Sequence, residues 1–73
     1  MFSTINLRRI SHEEFLNLKA GDIVYLKIGK HTFQSKVVRE AFYNYDAEEW
    51  GWEVETDNGY CDEYSVYVKK WKF

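Results

Sequence analysis

The chain has 73 residues, 30% of them charged, with a formal net charge of −2 and an isoelectric point near 5.6. That length suits one domain over residues 1–73 and buries only roughly 60% of the surface its unfolded form exposes, so a few large side chains must fill the core. Net acidity argues against a dedicated nucleic-acid binder, and no apolar run approaches the ~20 residues of a membrane-spanning helix.

Aromatic residues make up 19% of the chain, with three Trp, six Tyr and five Phe. Each can bury about 150–250 Å², and most are expected in the core. Cys61 is the only cysteine, which excludes an internal disulfide and fits a reducing, cytoplasmic setting. The N-terminus lacks the pattern of a secretion signal, and no repeat, linker or low-complexity tract marks a second domain.

Phe2 to Ile10 alternates weakly, with Ile5 and Leu7 on one side, and predicts a short N-terminal strand suited to a sheet edge. Ser11 as N-cap, Glu14 three residues on, and the pair Ile10 and Phe15 form a capping box with a hydrophobic staple. A helix is therefore expected from His12 to about Lys19, with Gly21 as its left-handed terminator. Residues 1–20 thus form a strand plus a short helix, and residues 21–73 the β portion.

Asp22 to Ile28 is apolar on both faces, as in a central strand. Gly29-Lys30 suits a two-residue hairpin turn to a long strand from His31 to Tyr43. The apolar parity of that strand changes between Val37 and Val38, which calls for a bulge near Val38 to Glu40. After a polar connection from Asn44 to Glu48, Glu49 to Thr56 alternates strictly. Trp50, Trp52, Val54 and Thr56 share one face; Glu49, Glu53 and Glu55 share the other. With Asn58-Gly59 as the turn, Asp57 faces Tyr60 and Glu55 faces Asp62. Continued alternation would bury Glu63 and expose Val66, so a single helical turn is expected near Asp62 to Ser65. Val66 to Val68 then start a last short strand, with Trp71 and Phe73 as C-terminal anchors.

The fold class predicted is mainly β with one short helix: a small SH3-like antiparallel barrel or a strongly bent sheet. Lys19-Ala20-Gly21-Asp22-Ile23-Val24 resembles the Gly-Asp-x-Val lead-in to the first strand of SH3-like and Tudor-like barrels, and the strand spacing over residues 21 to 70 is similar to theirs. The resemblance implies a fold and no activity. Tudor-like barrels use aromatic cages for methylated ammonium groups. Tyr43, Tyr45, Trp50, Trp52, Tyr60 and Tyr64 supply rings, but in no pattern that matches such a cage residue by residue.

Charge is strongly segregated. From Asp46 to Glu63 there are eight acidic residues and no Lys or Arg, giving −8; the rest of the chain carries +6. One consequence is a solvated, self-repelling surface that favours solubility. Another is a face that steers a basic protein or peptide, with Tyr45, Glu49, Glu53, Glu55, Asp57, Tyr60 and Asp62 as the candidate partner-binding residues. An inhibitor of phage or mobile-element type, presenting carboxylates in place of nucleic-acid phosphates, has the same composition. Oxygen ligands for Ca²⁺ are present without EF-hand-type spacing, so no metal or other cofactor is expected.

At the other pole, Arg8, Arg9, Lys69, Lys70 and Lys72 would form a basic patch if the chain ends meet, suited to weak nucleic-acid binding or to the acidic hairpin of a second copy. Catalytic residues are not evident. His12 and His31 lack a second His or Cys at ligand spacing, and Cys61 lacks a basic neighbour to activate it. The exposed carboxylates have nothing to move their pKa values apart. A non-enzymatic interaction module or accessory subunit is the expectation.

Overall fold

The computed structural model describes residues 6–46 and 51–71. Its elements follow the order β1 (Leu7–Arg9), α1 (His12–Leu16), β2 (Ile23–Ile28), β3 (His31–Asn44), β4 (Gly51–Thr56), β5 (Gly59–Asp62), a 3₁₀ turn (Glu63–Ser65) and β6 (Val66–Lys69). The six strands form one antiparallel sheet in the order β1-β6-β2-β3-β4-β5. The sheet is not closed into a barrel; β1 and β5 remain its edges.

Helix α1 begins where the sequence places it. The Ser11 hydroxyl accepts from the Glu14 amide at 3.2 Å, and the Glu14 carboxylate accepts from the Ser11 amide at 3.1 Å. Ile10 and Phe15 are both buried in the same core. The helix ends at Leu16 with Asn17 as C-cap, three residues before the expected Lys19. Gly21 (φ +100°) does not terminate it. It occupies the third position of a turn closed by the Asp22 amide donating to the Lys19 carbonyl at 3.0 Å, where a positive φ favours glycine. Five residues are too few for a self-supporting helix, so docking of Phe15 and the nearby Leu18 holds it in place.

The core consists of Ile10, Phe15, Leu18, Val24, Leu26, Val37, Val54, Val66 and Val68, with Phe33, Ala41, Trp52 and Cys61 packed around it. Strand β2 lies inside the sheet and is buried on both faces at its centre, with Val24 and Leu26 facing the helix and Tyr25 facing away. The hairpin at Gly29-Lys30 pairs Ile28 with His31, and Gly29 has φ +59°. Register shifts between Val37 and Arg39 and between Arg39 and Phe42 supply the expected bulge. The first turns Arg39 to the outer face although it follows Val37 by two residues, and the second returns Tyr43 to the inner face with Val37.

The β4–β5 hairpin differs from its expected register. Thr56, not Asp57, pairs with Tyr60's predecessor Gly59, and the two-residue loop is Asp57-Asn58. Glu55 therefore faces Tyr60, and Asp62 faces Glu53. The 3₁₀ turn lies where parity requires it, capped by the Asp62 carboxylate, and it returns Val66 and Val68 to the core. Trp71 is no anchor: it is 69% exposed, because β6 stops at Lys69 and the ring rests near that lysine instead of the core. Trp50, Phe73 and residues 2–5 of the expected first strand lie outside the described residues.

Edge strand β1 is tied to α1 by a two-pronged ion pair. Arg8 Nη1 and Nη2 donate to the Glu14 carboxylate at 2.7 and 2.6 Å. These bonds, with smaller help from Ser11, lower the Glu14 pKa from an ordinary 4.5 to about 2. A depressed carboxyl pKa stabilises the fold above its unfolded value, and that contribution is lost as pH falls through the folded one. Acid titration of stability is expected to show a loss between pH 4.5 and 2 that is smaller in Glu14→Gln. Identical acid limbs for the two proteins would show that the pair contributes nothing.

Candidate functional site

Register divides the candidate residues between two roles. On the outer face of β3, β4 and β5, Arg39, Glu55 and Tyr60 lie side by side, as do Phe42, Glu53 and Asp62. The Arg39 guanidinium sits 4.0 Å above the Phe42 ring, and Tyr60 meets Phe42 edge-on at 6.0 Å. Asn44 Nδ2 donates to Glu53 at 2.6 Å. The Glu55 carboxylate has no hydrogen-bond partner among the described residues. Like charges directly opposite each other, here Glu53 and Asp62, oppose pairing of the strands unless other contacts offset them. The Arg39–Phe42–Tyr60 stack and the Asn44 bond are those contacts.

Asp57 and Asp62 are committed to the fold. Asp57 accepts from the Ser35 hydroxyl at 2.6 Å, the Lys36 amide at 3.0 Å and Asn58 Nδ2 at 3.1 Å. The Ser35 bond first and the Lys36 amide second hold its carboxyl below the ordinary value. Asp62 accepts from the Tyr64 and Ser65 amides and the Ser65 hydroxyl at 3.0 to 3.1 Å. Sequence pattern alone gives no sign of this, since a carboxylate at a turn serves equally well as a cap or as an exposed charge.

Tyr45 is 69% exposed and its ring lies 4.7 Å from that of Tyr43; Tyr60 is 59% exposed. Glu49 lies outside the described residues. Tyr43 meets Trp52 edge-on at 5.5 Å on the inner side of the sheet, so these two rings pack together and do not open as a cage. Cys61 is half-buried, and desolvation raises its thiol pKa, the opposite of activation. His12 Nδ1 lies 3.1 Å from the Glu63 carboxylate and links the start of α1 to the 3₁₀ turn. Among the described residues, no three His, Cys, Asp or Glu side chains gather as a metal-binding group, and no helix is long and apolar enough to cross a membrane.

The first and last strands do come together, since β1 pairs with β6 and the Lys70 amide donates to the Asn6 carbonyl at 3.0 Å. Arg8 nevertheless leaves the expected basic patch. It is opposite Val68, on the helix side of the sheet, and is bound to Glu14. Arg9 and Lys69 face the other way, opposite Tyr67 and Leu7 respectively. Sequence alternation missed the further cations on that face, Lys27 and Lys36, because β2 and β3 lie far from the chain ends in sequence.

Comparison of the chain with protein-family models, with curated proteins and with solved structures yields no match.

Proposed function

We propose that this protein is a small, non-enzymatic interaction module that binds a basic protein surface through the outer face of its β4–β5 hairpin. The observation that carries this is the Glu55 carboxylate, which has no hydrogen-bond partner among the described residues and lies beside the exposed Tyr60. Around it, Glu53 and Asp62 maintain negative potential while their bonds to Asn44 and the 3₁₀ turn fix their positions. Tyr60 is itself braced by Phe42, so a partner's Arg or Lys would meet a ring already held in place. Strands β2 to β6, with a helical turn before the last, support the likeness to SH3-like and Tudor-like domains, although the likeness concerns architecture and leaves function to the surface.

An NMR titration of the full chain with an oligoarginine peptide at ~150 mM salt tests this, because weak unspecific electrostatics are damped there. Shifts are expected at Glu53, Glu55, Tyr60 and Asp62. Glu49, Glu53 and Glu55 changed together to Gln should keep the fold and weaken binding by about 30-fold or more, the scale of an interface hot spot. Unchanged affinity would remove the hairpin as the binding face.

A further inference from the structure

On the face of the sheet opposite α1, strands β1, β6, β2 and the first half of β3 bring four cations together, of which Lys36 has the Asp57 carboxylate as a charged neighbour. Arg9 lies opposite Tyr67, and Tyr67 opposite Tyr25. Lys27 and Lys36 join them from β2 and β3, where Lys36 faces Ile23, and Lys69 follows Tyr67 on the same side of β6. All four cations are exposed. An open groove of about 310 Å³ lies on this face, lined by Ile23, Tyr25, Gln34 and, of the four cations, Lys69. Two exposed rings lie beside cations of this face: Trp71, 5.6 Å from Lys69 Nζ, and Tyr64, 6.0 Å from the Arg9 guanidinium. Tyr67 lies 5.8 Å from Lys27 Nζ. These separations are near the outer limit of cation–π attraction, so rings and cations hold each other weakly and remain available to a ligand.

We propose that this face binds single-stranded nucleic acid, with Lys69, Arg9, Lys27 and Lys36 along the phosphates and Trp71 and Tyr64 stacking on bases. The proposal is independent of the acidic hairpin and uses different side chains. Three features favour this ligand. Its charge complements a face on which Arg9, Lys27 and Lys69 join Lys36; the four strands, at ~4.8 Å spacing, give a track of roughly 14 Å for the backbone. The exposed rings suit unpaired bases, which a duplex keeps stacked inside. The net charge of −2 does not oppose local binding, because Glu53, Glu55 and Asp62 are carried by β4 and β5, at the other end of the sheet from β1 and β6.

The experiment is an NMR and fluorescence titration of the full chain with an oligodeoxythymidine of about eight nucleotides at ~50 and ~200 mM salt. The expected result is saturable binding with shifts at Tyr25, Tyr67, Lys69 and the Trp71 indole. Four phosphate contacts would give log K a slope of about −3 against log salt, and Lys69→Gln should reduce that slope by about 0.7. Trp71→Ala should weaken binding about tenfold, as loss of a stacking platform does. Both substitutions lie at exposed side chains, and unchanged unfolding midpoints would confirm that the fold is retained. No binding at ~50 mM salt would overturn the proposal, as would variants that bind like the parent or shifts confined to residues 51–62. Tighter binding of an Asp/Glu-rich peptide or a DNA duplex than of the single strand would also overturn it.

Discussion

Phe15→Ala is expected to remove most of the stability of this fold. Phe15 is fully buried and belongs to the only helix among the described residues, where it meets the core strands β2, β3, β4 and β6 in a single cluster. Truncating a buried Phe costs about 3–5 kcal/mol through lost transfer energy and the cavity left behind. At about 0.05–0.15 kcal/mol per residue, a chain of this length has roughly 4–11 kcal/mol in total. Urea unfolding should therefore show either a transition moved close to zero denaturant or no folded baseline. Leu16→Ala, at the neighbouring and 39% exposed position, should cost far less. Equal losses at the two positions would mean that α1 is not held through Phe15.

Ser35→Ala should have the second largest effect, and it has a pH signature. The Ser35 hydroxyl is 2% exposed, donates to Asp57 at 2.6 Å and receives Asn58 Nδ2 at 2.9 Å, joining β3 to the β4–β5 turn. Its removal should cost about 1.5–2 kcal/mol, the lower part of the range for bonds to charged groups, because Asp57 and Asn58 regain water. For 73 residues, each kcal/mol lowers Tm by roughly 4–8 °C. The same bond is the first cause of the lowered Asp57 pKa. A lowered carboxyl pKa contributes stability above its unfolded value and loses it as pH falls. The difference between parent and Ser35→Ala should consequently shrink on acidification below pH 3.8, towards the folded pKa. A difference that stays constant across that range would show that Ser35 acts by packing alone.

The two surface proposals fit the charge map of the chain. Eight acidic residues lie within residues 46–63, and of these Glu53, Glu55 and Asp62 are carried by β4 and β5, at the β5 end of the sheet. Arg9 and Lys69 are carried by β1 and β6, at the opposite end. One small sheet therefore presents opposite potentials at two ends, and each binding experiment uses a probe that the other end should repel.

What the sequence determines by itself here is local in chain distance. Ser11 and Glu14 exchange hydrogen bonds across three residues, so the start of α1 can be read from their spacing. Gly29-Lys30 closes a hairpin between adjacent runs for the same reason. The bulge after Val37 and the 3₁₀ turn at Glu63–Ser65 are nearly as local, because each corrects an apolar parity that would otherwise place a charge in the core. The β4–β5 register was beyond such reasoning. Pairing Gly59 with Thr56 or Tyr60 with Asp57 leaves Cys61 on the same side as Val54, so burial favours neither. The choice follows from the loop itself, where Thr56 Oγ1 accepts from the Asn58 amide and donates to the Gly59 carbonyl, both at 3.0 Å, with Gly59 at φ +112°. Tertiary structure alone decided which charges are available to a partner. Asp57 is bound by residues 21 and 22 positions earlier in the chain, and Arg8 turns inward to Glu14 because β1 pairs with β6. Lys27 and Lys36 reach the face of Lys69 because β2 lies between β3 and β6. Such long-range juxtapositions depend on strand order, which local propensity and periodicity leave open.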